Sequence, residues 1–134
     1  MGVFWGLTLK QVTLLEQREA VRLDSVRLEQ LYVQLGEAGA EDVVCRALEE
    51  LATRLSHTER FFREKRHVEL RKSARSLIAI SDQIGMAALA RVARDVTYCI
   101  DENDQVALAA VLARLLRIGD TSLHEIWDLQ DYSV

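Results

Sequence analysis

Apolar residues recur along this chain at alternating three- and four-residue steps, the spacing that places side chains on one face of an α-helix. The clearest run is Val44, Leu48, Leu51, Leu55, Thr58 and Phe62, which predicts a long helix over about 40–64. The wholly charged Arg63-Glu64-Lys65-Arg66 marks its exposed end and a turn. Leu70, Ala74, Leu77, Ser81 and Ile84 form the next stripe, closed by Gly85, a residue that accepts the left-handed backbone of a helix C-terminus. Met86, Leu89, Ala93, Val96 and Ile100 follow at once. Asp101-Glu102-Asn103-Asp104 has turn and N-cap residues and no apolar member, so it predicts a short loop. The last helix starts near Gln105 and carries Leu108, Leu112, Leu115, Gly119, Ser122 and Ile126 on one line. Val111, Leu116, Leu123 and Trp127 lie beside that line, and Gly119-Asp120 is a point where the helix could bend or divide.

Ahead of these elements, Asp24 and Ser25 are N-cap residue types for a short helix with Val26, Leu28, Leu31, Tyr32 and Leu35, ended by Gly36 and Gly39. In residues 1–24, Leu7, Leu9, Val12, Leu14, Leu15 and Val21 fit a frayed helix or an extended arm, and the segment reads as a weakly helical N-terminal arm. Four long helices with short connections pack most simply as an antiparallel up-and-down bundle. The expected fold is therefore all-α: a four-helix bundle over 25–134, with the short extra helix laid over one end.

Composition supports helices and removes several functional classes. The chain has 134 residues and no proline, where average usage of roughly 5% would supply about six or seven. Cys45 and Cys99 are the two cysteines; without a CxxC pair they make neither a zinc site nor a disulfide framework, and they read as reduced thiols of a cytoplasmic protein. Seventeen Lys and Arg against 21 Asp and Glu give a net charge of −4, which argues against a nucleic-acid binder relying on a global basic field. No stretch approaches the ~18 consecutive apolar residues of a membrane-spanning helix. The start, apolar only briefly before Lys10, does not read as a secretory signal, and Gly6 stands where a myristoylation signal wants Ser or Thr.

Reactive constellations are absent from the pattern. There is no GxSxG elbow, phosphate-cradling glycine loop, HExxH, or ExxH pair for a carboxylate-bridged metal centre, so neither an enzyme nor a cofactor is expected. His57 falls off the 44/48/51/55 stripe and reads as a surface residue. His67, among Lys65, Arg66 and Arg71, reads as a residue at a helix start, although neighbouring positive charge would favour its neutral, nucleophilic form. Asp120, His124 and Asp128 fall four apart and could share a face; a surface ion pair is the expectation there, and no metal site. Asp101, Glu102 and Asp104 lack the loop pattern of an EF-hand.

The stretch from Glu69 to Gly85 resembles the central helix of histidine-containing phosphotransfer (HPt) domains, which carry Ala-His-x-Leu-Lys-Gly and a second glycine after five more residues. Ala74, Leu77 and Gly85 match that motif, while Arg75 stands at the phosphoacceptor histidine, Ile78 at the usual lysine and Ala79 at the first glycine. The likeness extends to the short helix ending at Gly36, the helices over 40–64 and 86–100, and the acidic turn before the last helix. In that family the histidine projects from the bundle, takes a phosphoryl group from an aspartate of a receiver domain and passes it on. Arg75 cannot do so, because a guanidinium stays protonated and has no lone pair to offer.

The resemblance thus implies a catalytically inactive HPt-like interaction module of bacterial two-component signalling, which binds a response-regulator receiver domain or a histidine kinase without accepting phosphate. Its partner-binding residues are expected to be Arg71, Arg75, Ile78, Ala79 and Asp82, one exposed patch rotated away from the core stripe. Two alternatives come from other classes. One is a self-associating helical adaptor or homodimer, because Leu108, Val111, Leu115 and Ile118 give the last helix a second apolar line. The other is an active phosphotransferase using another histidine such as His67, which lies about 12 Å along a helix axis from Arg75.

Overall fold

A computed structural model describes residues 24–133. The expectation for the N-terminal arm concerns residues outside the described ones, apart from Asp24. The described residues form four helices: α1 (Ser25–Arg63), α2 (His67–Ile84), α3 (Ala87–Asp101) and α4 (Gln105–Ser133). Each packs on its neighbours in sequence, and α4 closes on α1. The result is the all-α four-helix bundle expected from the stripes.

The short and long helices anticipated at the start are the two parts of α1. They meet at Gly36, whose backbone (φ 75°, ψ 175°) interrupts the helix in a conformation that only glycine adopts easily. Helix resumes directly after it, so Gly39 lies inside the second part and terminates nothing. The Asp24 carboxylate caps the first part by accepting from the N–H groups of Val26 (2.9 Å) and Arg27 (3.4 Å). This part is fastened to the far end of α2: Asp24 N–H donates to the Gly85 carbonyl (2.7 Å) and Arg27 Nε to the Gln83 carbonyl (2.8 Å).

All three connections inside the bundle use one termination. Lys65, Gly85 and Asn103 each take a positive φ (58°, 78° and 56°). The residue after each donates its N–H to a carbonyl five positions back: Arg66 to Phe61, Met86 to Ser81, Asp104 to Cys99, at 2.8 to 3.0 Å. That is the Schellman arrangement, which satisfies carbonyls otherwise orphaned at a helix end. Asp104 then starts α4, its carboxylate accepting from Ala107 N–H at 3.0 Å.

The stripes read from the sequence form the core. Leu48, Leu51, Leu70, Leu77, Ile84, Leu89, Val96, Leu108, Leu112 and Leu115 are at most 2% exposed. Two features of α4 differ from expectation. It runs unbroken through Gly119, which sits where the Leu55 side chain of α1 comes so close that an added Cβ would lie 2.6 Å from it. The glycine serves a close helix approach rather than a bend. Leu108, Leu115 and Ile118 of the second apolar line are buried, and the half-buried Val111 packs against the core. The side chains of Ile126, Trp127 and Asp128 lie outside the described ones.

Candidate functional site

Polar contacts fix how α2 is rotated in the bundle, and hence what it shows to solvent. Towards α1, the buried hydroxyls of Thr58 and Ser73 hydrogen-bond at 2.7 Å. Both hydroxyls also face the Arg54 carbonyl, Thr58 at 2.6 Å and Ser73 at 3.3 Å, so one donates to that carbonyl while the other donates across the pair. Towards α3, Arg71 reaches Asp101 and Asp82 reaches Arg94. With both flanks engaged, Val68, Lys72, Arg75 and Ala79, spaced three and four apart, form the outward ridge and are all exposed.

The five residues expected to form one patch fall into three environments. Arg71 holds Asp101 with a two-pronged fork, Nε to one carboxylate oxygen at 2.8 Å and a terminal nitrogen to the other at 3.0 Å. That hydrogen bond is the main reason the Asp101 carboxyl titrates below its ordinary value; the charges of Arg71 and Arg75 act in the same direction, against some desolvation. The same bond raises Arg71. Asp82 is bound by Arg94 at 2.6 Å. Ile78 is half-buried and packs on the core, so only its edge is offered to solvent. Ala79 and Arg75 remain open, and Arg75 makes no hydrogen bond or ion pair with another described residue.

Sequence reasoning passed over the other half of this face. Asp101 read as a turn residue, yet it is the last residue of α3 and the counter-ion of Arg71. Arg94 and the 65% exposed Tyr98 share the stripe of α3 that carries Asp101. Lys72 was visible in the sequence as the residue one turn before Arg75, but nothing in the pattern distinguished it from an ordinary surface lysine.

The histidines converge on no site. His57 is half-buried, with its ring tilted against Phe61 at a centroid distance of 6.1 Å. Phe61 also carries the guanidinium groups of Arg60 and Arg66 at 5.1 and 5.0 Å. His67 is the half-buried first residue of α2. His124 is exposed, with Nδ1 2.9 Å from the Asp120 carbonyl and 3.6 Å from its carboxylate. Among the described residues no three His, Cys, Asp or Glu side chains come together as a metal site would require. No helix among them is long and apolar enough to cross a membrane.

Fold and face together define a class: an up-and-down helical bundle presenting, on its second helix, an exposed arginine flanked by two interhelical ion pairs. Beyond that class, no family model, curated protein or solved structure matches the chain.

Proposed function

We propose that this protein is a catalytically inactive, HPt-like interaction module of cytoplasmic two-component signalling, with a receiver domain as the partner its face suits best. The observation that carries the reading is the state of Arg75. It occupies the motif position of the phosphoacceptor histidine, on the outward ridge of the second bundle helix, and no described residue neutralises it through an ion pair. A guanidinium cannot attack phosphorus, but its planar fork suits the carboxylates or phosphoryl oxygens of an acidic pocket. Ala79, one turn on, leaves room for close approach, and the edge of Ile78 supplies apolar contact.

Affinity capture from native lysate tests this, comparing the wild-type chain with Arg75→Glu and identifying the recovered proteins by mass spectrometry. Receiver or histidine-kinase proteins should be enriched by the wild type and depleted about tenfold or more by the charge reversal, as expected for a central charged contact. Equal recovery by both chains, or recovery of no such protein, refutes the module.

A further inference from the structure

We infer that the first part of α1 is an exchangeable arm, and that a second copy of this chain receives it in a dimer where residues 24–35 of each chain cover the α2–α3 end of the other. This stands independently of the partner reading above. The seat already shows what fits it, because the chain's own arm occupies it. Leu28 and Leu31 of the arm are buried, 4% and 3% exposed. Asp24 N–H donates to the Gly85 carbonyl at 2.7 Å, and Arg27 Nε to the Gln83 carbonyl at 2.8 Å. An arm arriving from another chain makes the same contacts, so exchange loses nothing at the seat itself.

A single residue separates the closed chain from the open one. Helix runs up to Gly36 and resumes after it, while Gly36 itself, at φ 75° and ψ 175°, lies in a region essentially reserved for glycine. Returning that one residue to helical angles makes α1 a straight rod and swings the arm off its seat. Residues 33–38, which carry the change, are all exposed, and a Cβ at Gly36 would meet nothing within 4 Å among the described residues. A straight α1 cannot seat both of its apolar stripes on its own bundle. At about 100° per residue, Leu28, Leu31 and Leu35 lie about 160° around the helix from Val44, Leu48, Leu51 and Leu55. One stripe stays in the home core; the other faces away from it and is bare until a second copy's vacated seat takes it. Reciprocal exchange fills both seats and closes the assembly as a twofold dimer.

The test compares the full-length chain with Gly36→Ala, whose methyl group disfavours the kinked backbone without meeting a neighbour. In analytical ultracentrifugation Gly36→Ala should dimerise at concentrations at least about tenfold lower than the wild type, as expected from the strain of a non-glycine residue in that region. To show that the arm has crossed over, chains carrying Cys45→Ser and a nitroxide on Gln83→Cys are mixed with ¹⁵N-labelled chains that carry no nitroxide. Position 83 is exposed and offers the arm only its carbonyl, so the label leaves the seat intact. In the Gly36→Ala mixture the nitroxide should broaden the amides of residues 24–31 of the other chain. A Gly36→Ala chain that stays monomeric, or that dimerises without this broadening, overturns the inference. Should Gly36→Ala fail to fold, the wild-type mixture refolded from urea at its highest soluble concentration decides: a dimer with the interchain broadening upholds the exchange, and its absence overturns it.

Discussion

Arg71 and Arg75 lie one helical turn apart on α2 and have the same side chain, yet one is latched and the other open. Arg71 is turned far enough towards α3 to reach Asp101, 30 residues away in sequence, and Arg75 is turned outward. The helical spacing made Arg75's exposure legible. It could not reveal Asp101 as a counter-ion, because that pairing depends on how two helices are set side by side. The latch has a pH signature. Arg71 stabilises the ionised carboxylate, so Asp101 has a lower pKa in the folded than in the unfolded chain. Its contribution to stability is therefore fully present above the unfolded carboxylate value of about 3.9 and is lost as pH falls through the depressed folded value. Carboxyl carbon NMR should place the Asp101 midpoint below about 3.9, and Arg71→Gln should return it towards that value. A wild-type midpoint at or above the ordinary value would show that the fork is not held in solution.

The helix ends show how local sequence can announce an element without revealing its cost. Gly85 was legible as a terminator because glycine is the residue that takes a left-handed backbone without strain. Lys65 was not: the charged run marked a turn, but nothing in it said that a lysine would sit at φ 58°. Substitutions at these equivalent positions should therefore have opposite signs. Gly85→Ala introduces left-handed strain and a Cβ 2.9 Å from Asp24 Cβ and 3.0 Å from its backbone nitrogen, where a side-chain rotation cannot relieve it. It should cost about 2–3 kcal/mol and loosen the link between Asp24 and α2. Lys65→Gly removes strain of about 1–2 kcal/mol, part of which glycine's greater unfolded-state freedom offsets. A net gain of up to about 1 kcal/mol is expected in urea unfolding. Same-sign effects would contradict the assignment of one termination motif to both turns.

On the scale of the whole molecule, apolar stripes predicted the four helices and most of the core, because amphipathic periodicity is a property of each segment alone. They overcounted α4. Facing both α3 and α1, that helix needs a core face wider than one stripe, and Leu108, Leu112, Leu115 and Ile118 are all buried in it. The candidate site was half legible for the complementary reason: ridge residues follow from one helix, whereas their counter-ions belong to the next. Whether the bundle closes as one cooperative body can be read from its two thiols. Cys45 is exposed on α1, whereas Cys99 on α3 is buried, and its pKa is raised first by that burial and further by the charges of Asp104 and Asp95. A thiol reagent attacks only the thiolate, so Cys99 is protected both by its protonation and by the helices around it. For a domain of ordinary stability, roughly 0.05–0.15 kcal/mol per residue, its labelling through global opening should be at least about a thousandfold slower than that of Cys45. The two rates should converge once urea unfolds the chain. Native labelling of Cys99 within about tenfold of Cys45 would mean that α3 opens independently of the other helices, and with it the stripe that carries Arg94 and Asp101.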